Sequence, residues 1–181
     1  MSFTESETKI LDIPLTETCT LLENLGAVKV FDHDRIITHF DTPDHTLFQR
    51  GKILKLTEEG TLKLTINQHR EDGTTEEIKV GVSRKEETVA LLDRLGFIPI
   101  SEVTARRISY EWDGVDFDID IFPHIPPFLE IDLGESGKNL LEILTVLTLE
   151  NRQSCTLSTP EVFQHVGKDY FLLFSLSNHA G

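Results

Sequence analysis

The feature that most constrains the fold is a series of short runs in which polar and apolar residues alternate. The run 115–121 (VDFDIDI) alternates aliphatic or aromatic residues with three aspartates. Because successive side chains of a β-strand point to opposite faces, this pattern is typical of a strand with one buried and one polar face. Other strand-like runs cover residues 3–13, 35–42, 52–57, 61–67, 75–82, 101–112 and 128–133.

Turn residues separate several of these runs. Asp113-Gly114 lies between two alternating runs, which predicts a β-hairpin, and Asp72-Gly73 marks a similar turn. Eight strands joined mostly by short turns, with helices between groups of them, predict an α+β fold on a large antiparallel sheet. Eight strands also suffice to close a barrel around a small ligand. Helical periodicity occurs at residues 16–25, 84–95, 137–149 and 159–174.

The predicted helices carry end signals. Gly26 follows the first helical segment at the position where glycine often ends a helix. Ser83 and Glu86 have the spacing of a capping box for the second helix. Thr159 and Pro160 are predicted as the N-cap and first helical residue of the last segment.

Composition restricts the partners. The chain has 31 acidic residues against 17 Lys and Arg, a net charge of −14. Nucleic acids and anionic membrane surfaces select clusters of Lys and Arg, so we expect neither as a partner. With 181 residues, 39% of them hydrophobic, no apolar run of membrane-spanning length and no secretory leader, we expect one cytoplasmic domain, a monomer or a homodimer. The histidines His39, His69 and His124 show no metal-ligand spacing and are predicted to lie on the surface or in loops.

The polar faces of the predicted strands differ in chemistry. Carboxylates dominate the first strand and the last two, whereas Lys and hydroxyl residues dominate the strands around residues 55–65. If the sheet curls so that these faces meet, carboxylates lie opposite ammonium groups across a lumen. Divalent cations bind carboxylate oxygens, and phosphate oxygens bind Lys, Arg and hydroxyl donors. For any single strand an ordinary hydrated face is the alternative, but the set favours a metal–polyphosphate site.

The N-terminal strand illustrates the choice between these interpretations. Glu5, Glu7 and Lys9 share one face of the run 3–13, and adjacent like charges repel unless water, a cation or a ligand intervenes. Taken alone, the motif fits a hydrated strand end. The carboxylates on the last two strands favour a divalent cation shared with Glu5 and Glu7.

Four segments together resemble the CYTH superfamily of triphosphate tunnel metalloenzymes: ESETK (5–9), DTPDHTLFQRGKILKL (41–56), VTARRISY (103–110) and DIFPHIPPFLEID (120–132). That family includes class IV adenylate cyclases, thiamine triphosphatases and inorganic tripolyphosphatases. The resemblance runs from residue 5 to about 133. It implies an eight-stranded antiparallel closed β-barrel, the triphosphate tunnel, with flanking helices at about 137–174 in one domain spanning 1–181.

The resemblance also implies roles for individual residues. It makes Lys9 and Glu7 the catalytic candidates, and Lys9, Lys55 and Arg107 the contacts to substrate phosphate. Lys63 joins the phosphate contacts because alternation places it on the face of Asn67. Asp132 stands where the family usually has Glu. The implied ligands of Mg²⁺ or Mn²⁺ are Glu5, Glu7, Asp120, Glu130 and Asp132.

The sequence departs from the family pattern at four basic positions. Thr57, Asn67, Thr74 and Ala105 stand where the family carries Lys or Arg. Phosphoryl transfer depends on neutralising the charge of the phosphates, so these changes bear directly on activity. Three functions therefore stay open: a metal-dependent phosphohydrolase of tripolyphosphate, thiamine triphosphate or a nucleoside triphosphate, a class IV-type adenylate cyclase, or a catalytically degenerate tunnel that binds a metal or a phosphorylated ligand.

Overall fold

A computed structural model of the protein describes residues 3–5, 7–69 and 75–176, with the backbone alone described for residues 3–5 and 69. The strands are β1 (Phe3–Glu5), β2 (Glu7–Ile10), β3 (Val28–Asp41), β4 (Lys52–Glu58), β5 (Leu62–His69), β6 (Thr75–Val82), β7 (Ile98–Trp112), β8 (Val115–Ile121), β9 (Phe128–Asp132) and β10 (Ser154–Cys155). The helices are α1 (Leu15–Leu25), α2 (Thr46–Gln49), α3 (Lys85–Arg94), α4 (Leu140–Val146), α5 (Thr159–His165) and α6 (Tyr170–Leu173).

The predicted α+β class with an antiparallel sheet is confirmed. The chain forms two compact units, the first made of Met1–Thr4, Arg35–Thr104 and Ser158–Gly181 and the second of Glu5–Asp34 and Ala105–Leu157. In the first unit the strand order is β1-β6-β5-β4-β3-β7, and in the second it is β3-β7-β8-β9-β2-β10. The boundary between the units falls after Asp34 in β3 and after Thr104 in β7, so each of these strands has residues in both units. Closure of the sheet into a barrel stays a prediction.

Apolar residues of the first unit cover one face of its sheet. Phe40, Leu54 and Leu56 form a buried cluster with Leu92 of α3. Helix α3 starts at Lys85, after an N-cap at Arg84 that makes no side-chain cap bond. The predicted capping box with Ser83 is therefore wrong. Because α3 begins at Lys85, Thr88 and Leu92, four residues apart, lie on the buried side of the helix.

The core of the second unit follows the predicted alternation. Val115, Phe117 and Ile119 are fully buried, and they pack with residues of β7 and β9 and with helices α1 and α4. The aspartates between them lie on the opposite face. The hairpin at Asp113-Gly114 is confirmed, with φ of 48° and 79° at the two residues. Positive φ at both central residues is the signature of a type I′ turn, whose twist matches that of the flanking strands.

Other helix ends confirm or correct the sequence signals. Gly26 ends α1 in the left-handed region, with φ of 90°, as predicted. Helix α5 has its N-cap at Ser158, one residue before the predicted Thr159, because Ser158 and Glu161 form a capping box. No helix within the described ranges is long and apolar enough to span a membrane.

Candidate functional site

The carboxylates of the second unit gather on one face of four adjacent strands. β2 pairs with β9, β9 with β8, and β8 with β7, each antiparallel. Because residues aligned in neighbouring strands point to the same face, the alternating acids form rows across the sheet. One row consists of four carboxylates and is called the acidic row: Glu7, Asp132, Asp116 and Glu111.

The next row combines both signs of charge. It contains Lys9, Glu130, Asp118 and Ser109 and is called the mixed row. Lys9 and Glu130 are each only 7% exposed, and the Lys9 ammonium lies 3.1 Å from a Glu130 oxygen. Burial, the strongest influence on the pKa of Lys9, would lower it, but Glu130 and Glu7 outweigh burial and raise this pKa. Lys9 therefore stays charged inside the protein.

Arg107 binds three carboxylates at the edge of the mixed row. Its Nε and Nη2 donate to the two oxygens of Asp120 over 2.7 and 2.6 Å. Nη2 also donates to Glu130 over 2.7 Å, and Nη1 donates to Asp118, which accepts a further bond from the Ser109 hydroxyl. Arg107 offsets part of the negative charge of these three carboxylates, and Lys9 beside Glu130 offsets more of it.

The acidic row has a different charge balance. Burial and the neighbouring carboxylates Glu111 and Asp132 raise the pKa of Asp116. Asp132 accepts a backbone N–H from Gly134 over 2.9 Å, and it faces the carboxylates of Glu7 and Asp116 across the strands. The Lys9 ammonium lies 4.0 Å from a Glu7 oxygen at one end of the row. Aligned like charges repel, so an added cation would relieve repulsion among the other carboxylates.

Divalent cations such as Mg²⁺ fit the oxygen donors of the acidic row chemically. Within the described ranges, however, no three or more His, Cys, Asp or Glu side chains are already grouped as a metal site. Asp118, Asp120 and Glu130 are engaged by Arg107 instead. Glu5 lies on β1, and its side chain is outside the described residues.

The predicted phosphate contacts Lys55 and Lys63 lie in the first unit. Lys55 of β4 aligns with Thr65 of β5, which aligns with Lys79 of β6. The Lys63 ammonium is 2.5 Å from a Glu59 oxygen, and its side chain is 40% exposed. Lys55 and Lys63 thus share one sheet face with Thr57 and Asn67, two of the positions that lost a basic residue.

The same face carries a buried carboxylate. Glu77 accepts a hydrogen bond from the Asn67 amide over 3.0 Å and pairs with Lys79 over 2.5 Å. Burial would raise the pKa of Glu77, but Lys79 and Lys55, together with the Asn67 hydrogen bond, outweigh burial and lower it. Of the other two substituted positions, Ala105 is buried in the second unit, and Thr74 lies outside the described residues.

His39 corrects a prediction. Its side chain is buried in β3 at 5% exposure, not at the surface or in a loop. Nδ1 lies 3.2 Å from the Ser101 hydroxyl, and the ring packs edge-on against Tyr170 and Phe171. Burial and the neighbouring Lys55 lower the pKa of His39 from 6.5 to about 3, so the imidazole is neutral. The exposed turn residue His124 agrees with its prediction, and the His69 side chain is outside the described residues.

Of the predicted site residues, the structure gathers Glu7, Lys9, Arg107, Asp120, Glu130 and Asp132 in the second unit. The sequence analysis gave no role to Asp118, one of the aspartates of the run 115–121, or to Ser109, and it missed Lys79 and the buried Arg35. Alternation already pairs Ser109 with Arg107 and Asp118 with Asp120, which is a usable signal. Arg35 is buried at 8% exposure because of its neighbours in space, and no local sequence pattern predicts this burial.

Comparisons with known proteins concern the family and the fold of the chain. The family model described as the CYTH domain matches residues 4–165. A proposed adenylate cyclase from Vibrio parahaemolyticus has a TM-score of 0.75 at 15% identity, with 88% of this chain and 97% of that chain covered. The PH1012 protein from Pyrococcus horikoshii OT3 has a TM-score of 0.68 at 22% identity, with coverage of 82% and 94%.

A third similar structure has a slightly lower TM-score. A proposed adenylyl cyclase from Hippeastrum, described as having a dominant triphosphatase activity, has a TM-score of 0.66 at 17% identity, with coverage of 93% and 97%. At such identities these likenesses concern the fold alone. Among curated proteins, none matches the chain.

Proposed function

Because the chain belongs to the CYTH domain family, we propose that it is a divalent-metal-dependent phosphohydrolase. Its substrate would be a small triphosphate compound: tripolyphosphate, thiamine triphosphate or a nucleoside triphosphate. The observation that carries the proposal is the acidic row beside Lys9 and Arg107 on one face of the second unit. Such a face combines donors for a hard cation with donors for phosphate oxygens.

The proposal includes closure of the antiparallel sheet into an eight-stranded tunnel, which membership of the family supports. Glu7 and Asp132, aligned across β2 and β9, would hold Mg²⁺ or Mn²⁺ together with Glu5. When bound, the cation would supply Lewis-acid polarisation of phosphoryl oxygens.

The chain's own cations would orient the substrate. The Lys9 ammonium is buried and charged, so it can stabilise negative charge that develops on a phosphoryl group. Arg107 would bind a phosphate oxygen from a fixed position, and Lys55 and Lys63 would add positive charge. Thr57 and Asn67 can still donate hydrogen bonds where the family has basic residues, although they add no charge.

Two alternatives rest on separate observations. Similar folds include proposed adenylate cyclases, which makes cyclic AMP formation from ATP the second candidate. The third candidate function is a tunnel that binds a metal or a phosphorylated ligand without turnover. It is favoured by the loss of basic residues at four positions: Thr57, Asn67, Thr74 and Ala105.

The test is an assay of tripolyphosphate, thiamine triphosphate and ATP with Mg²⁺ or Mn²⁺. We expect phosphate release from at least one of them. Cyclic AMP from ATP would select the cyclase instead. A folded protein that turns over none of the three would contradict the enzyme, and binding without turnover would then select the degenerate tunnel.

A Glu7→Gln variant tests the acidic row. We expect metal-dependent turnover to fall about 10- to 100-fold, because the variant removes one carboxylate charge from the metal site. Glu17→Gln is the matched control, since Glu17 is exposed on α1 away from both rows. An unchanged rate in Glu7→Gln would exclude Glu7 as a ligand.

A further inference from the structure

Asp120 and Asp132 are both predicted metal ligands, but the structure gives them different surroundings. Asp120 aligns with Arg107 across the β7–β8 hairpin, and both of its oxygens accept N–H groups of that guanidinium. Asp132 accepts a backbone N–H and faces carboxylates. A cation binding at Asp120 would therefore compete with the Arg107 guanidinium, whereas a cation binding at Asp132 would compete with a backbone N–H.

A metal bound through Asp120 would compete with a buried ion pair for the same two carboxylate oxygens. The side chain of Asp120 is 1% exposed and that of Arg107 is 19% exposed. When one partner of a buried pair is taken away, the other is left as an uncompensated charge in a poorly solvated place, which is strongly unfavourable. At Asp132 a cation would instead relieve repulsion within the acidic row.

Asp120 also sets the orientation of Arg107. Among the described residues, Nε donates once, Nη1 once and Nη2 twice, so four of the five N–H groups of Arg107 have protein acceptors. The remaining N–H is on Nη1. A planar guanidinium held by two parallel bonds to one carboxylate has little freedom to rotate, so that N–H points in a defined direction.

We propose that Asp120 is a positioning residue that holds Arg107 for the substrate phosphate, and that it is not a ligand of the metal. This inference rests on the proposed function for its metal and its phosphate. It divides the acids of the site by task, with Asp120 on the arginine and Glu7 with Asp132 on the cation.

The first experiment observes Arg107 directly. In protein labelled with ¹⁵N-arginine, the Nε–H NMR signal of Arg107, assigned by its absence in Arg107→Lys, should be protected from exchange in the wild type. It should lose that protection in Asp120→Asn, because the amide cannot accept both N–H groups. Saturating Mg²⁺ should leave the wild-type signal in place. A signal that persists in Asp120→Asn, or that Mg²⁺ displaces in the wild type, would overturn the proposal.

The second experiment measures Mn²⁺ binding by electron paramagnetic resonance, without substrate. The matched pair is Asp120→Asn and Asp132→Asn, the same chemical change on neighbouring strands. We expect the Kd for Mn²⁺ to stay within about twofold in Asp120→Asn and to rise about tenfold or more in Asp132→Asn. In Asp120→Asn the Kd for tripolyphosphate should rise about tenfold, because Arg107 is no longer oriented.

Equal loss of Mn²⁺ affinity in the two variants would overturn the assignment. If the wild type binds no Mn²⁺, the metal-dependent function fails. The positioning role of Asp120 is then decided by the metal-free NMR spectra: loss of protection in Asp120→Asn supports it, and retained protection overturns it. Circular dichroism of each variant confirms that it is folded.

Discussion

His39 shows how strongly the surroundings of a single residue can alter its chemistry. The imidazole is buried, accepts or donates a hydrogen bond at Ser101, and lies in a row with Lys55. Burial and the positive charge of Lys55 both disfavour the protonated form and lower the pKa to about 3. The unfolded chain has no such constraint, so there the histidine titrates near its ordinary value of 6.5.

This difference predicts a pH dependence of stability. The unfolded state binds a proton below pH 6.5 that the folded state takes up only near pH 3, so the contribution of His39 is full above 6.5 and is lost as pH falls. We expect His39→Gln to flatten the free energy of unfolding against pH in this window, by up to about 1.4 kcal/mol per pH unit. Urea unfolding from pH 7 to pH 4 measures this slope.

His124→Gln is the control for that series, because His124 is exposed in a turn. The comparison separates the effect at His39 from any general effect of replacing a histidine by glutamine. Parallel curves for His39→Gln and the wild type would show that His39 is protonated in the folded protein too.

At the scale of elements, the β7–β8 hairpin holds Arg107 against Asp120. The turn needs positive φ at Asp113 and Gly114, which are 48° and 79°. Two-residue turns of this type determine which residues of the two strands are opposite each other. The turn thus determines a contact six or more residues away along each strand.

Gly114→Ala tests the turn. A Cβ at residue 114 meets only ordinary contacts with Ser136, at 3.5 Å from its Cβ, so the penalty comes from the left-handed backbone. We expect the free energy of unfolding to fall by about 1–2 kcal/mol. Gly81→Ala is the matched control, because it lies in β6 with no left-handed φ and nothing within 4 Å of the added Cβ. That change should be neutral or stabilising by up to about 1 kcal/mol. Equal effects of the two variants would contradict the turn assignment.

At the scale of the whole molecule, excess negative charge favours cation binding. The net charge is −14, and the acidic row places four carboxylates side by side. Self-repulsion of this kind destabilises the compact state, and a ligand that binds the folded form offsets it. Under the proposed function, Mn²⁺ should therefore stabilise the protein beyond any general effect of salt.

Thermal or urea unfolding with and without Mn²⁺ measures this effect. At a hundred times its Kd, Mn²⁺ should raise the free energy of unfolding by about 2.7 kcal/mol. At the same Mn²⁺ concentration a tenfold higher Kd in Asp132→Asn should remove about half of the gain, and a larger rise in Kd more than half. Sodium chloride at equal ionic strength provides the screening control. The same increase with sodium chloride would show that screening, not a site, is responsible.

Local patterns determined much of the fold. Alternation predicted Phe117 on the apolar face and Asp118 on the polar face of β8, because side chains alternate every two residues along any strand, whatever its partners are. The Asp-Gly pair determined the β7–β8 turn, because only residues that tolerate positive φ allow it. The N-cap of α5 is Ser158 and not the predicted Thr159. The Ser158 hydroxyl and the Glu161 carboxylate, three residues apart, satisfy the backbone N–H groups at the start of this helix.

The tertiary structure alone decided which charges meet. Asp120 and Asp132 look alike in the sequence, yet strand pairing gives one an arginine and the other a row of carboxylates. His39 resembles a surface histidine until Tyr170, far along the chain, covers it. Electrostatic interactions depend on distance and burial in space, and neither follows from separation along the sequence. The sequence by itself therefore determined the faces of the strands and the acids they carry, and the pairing of strands decided the partner of each acid.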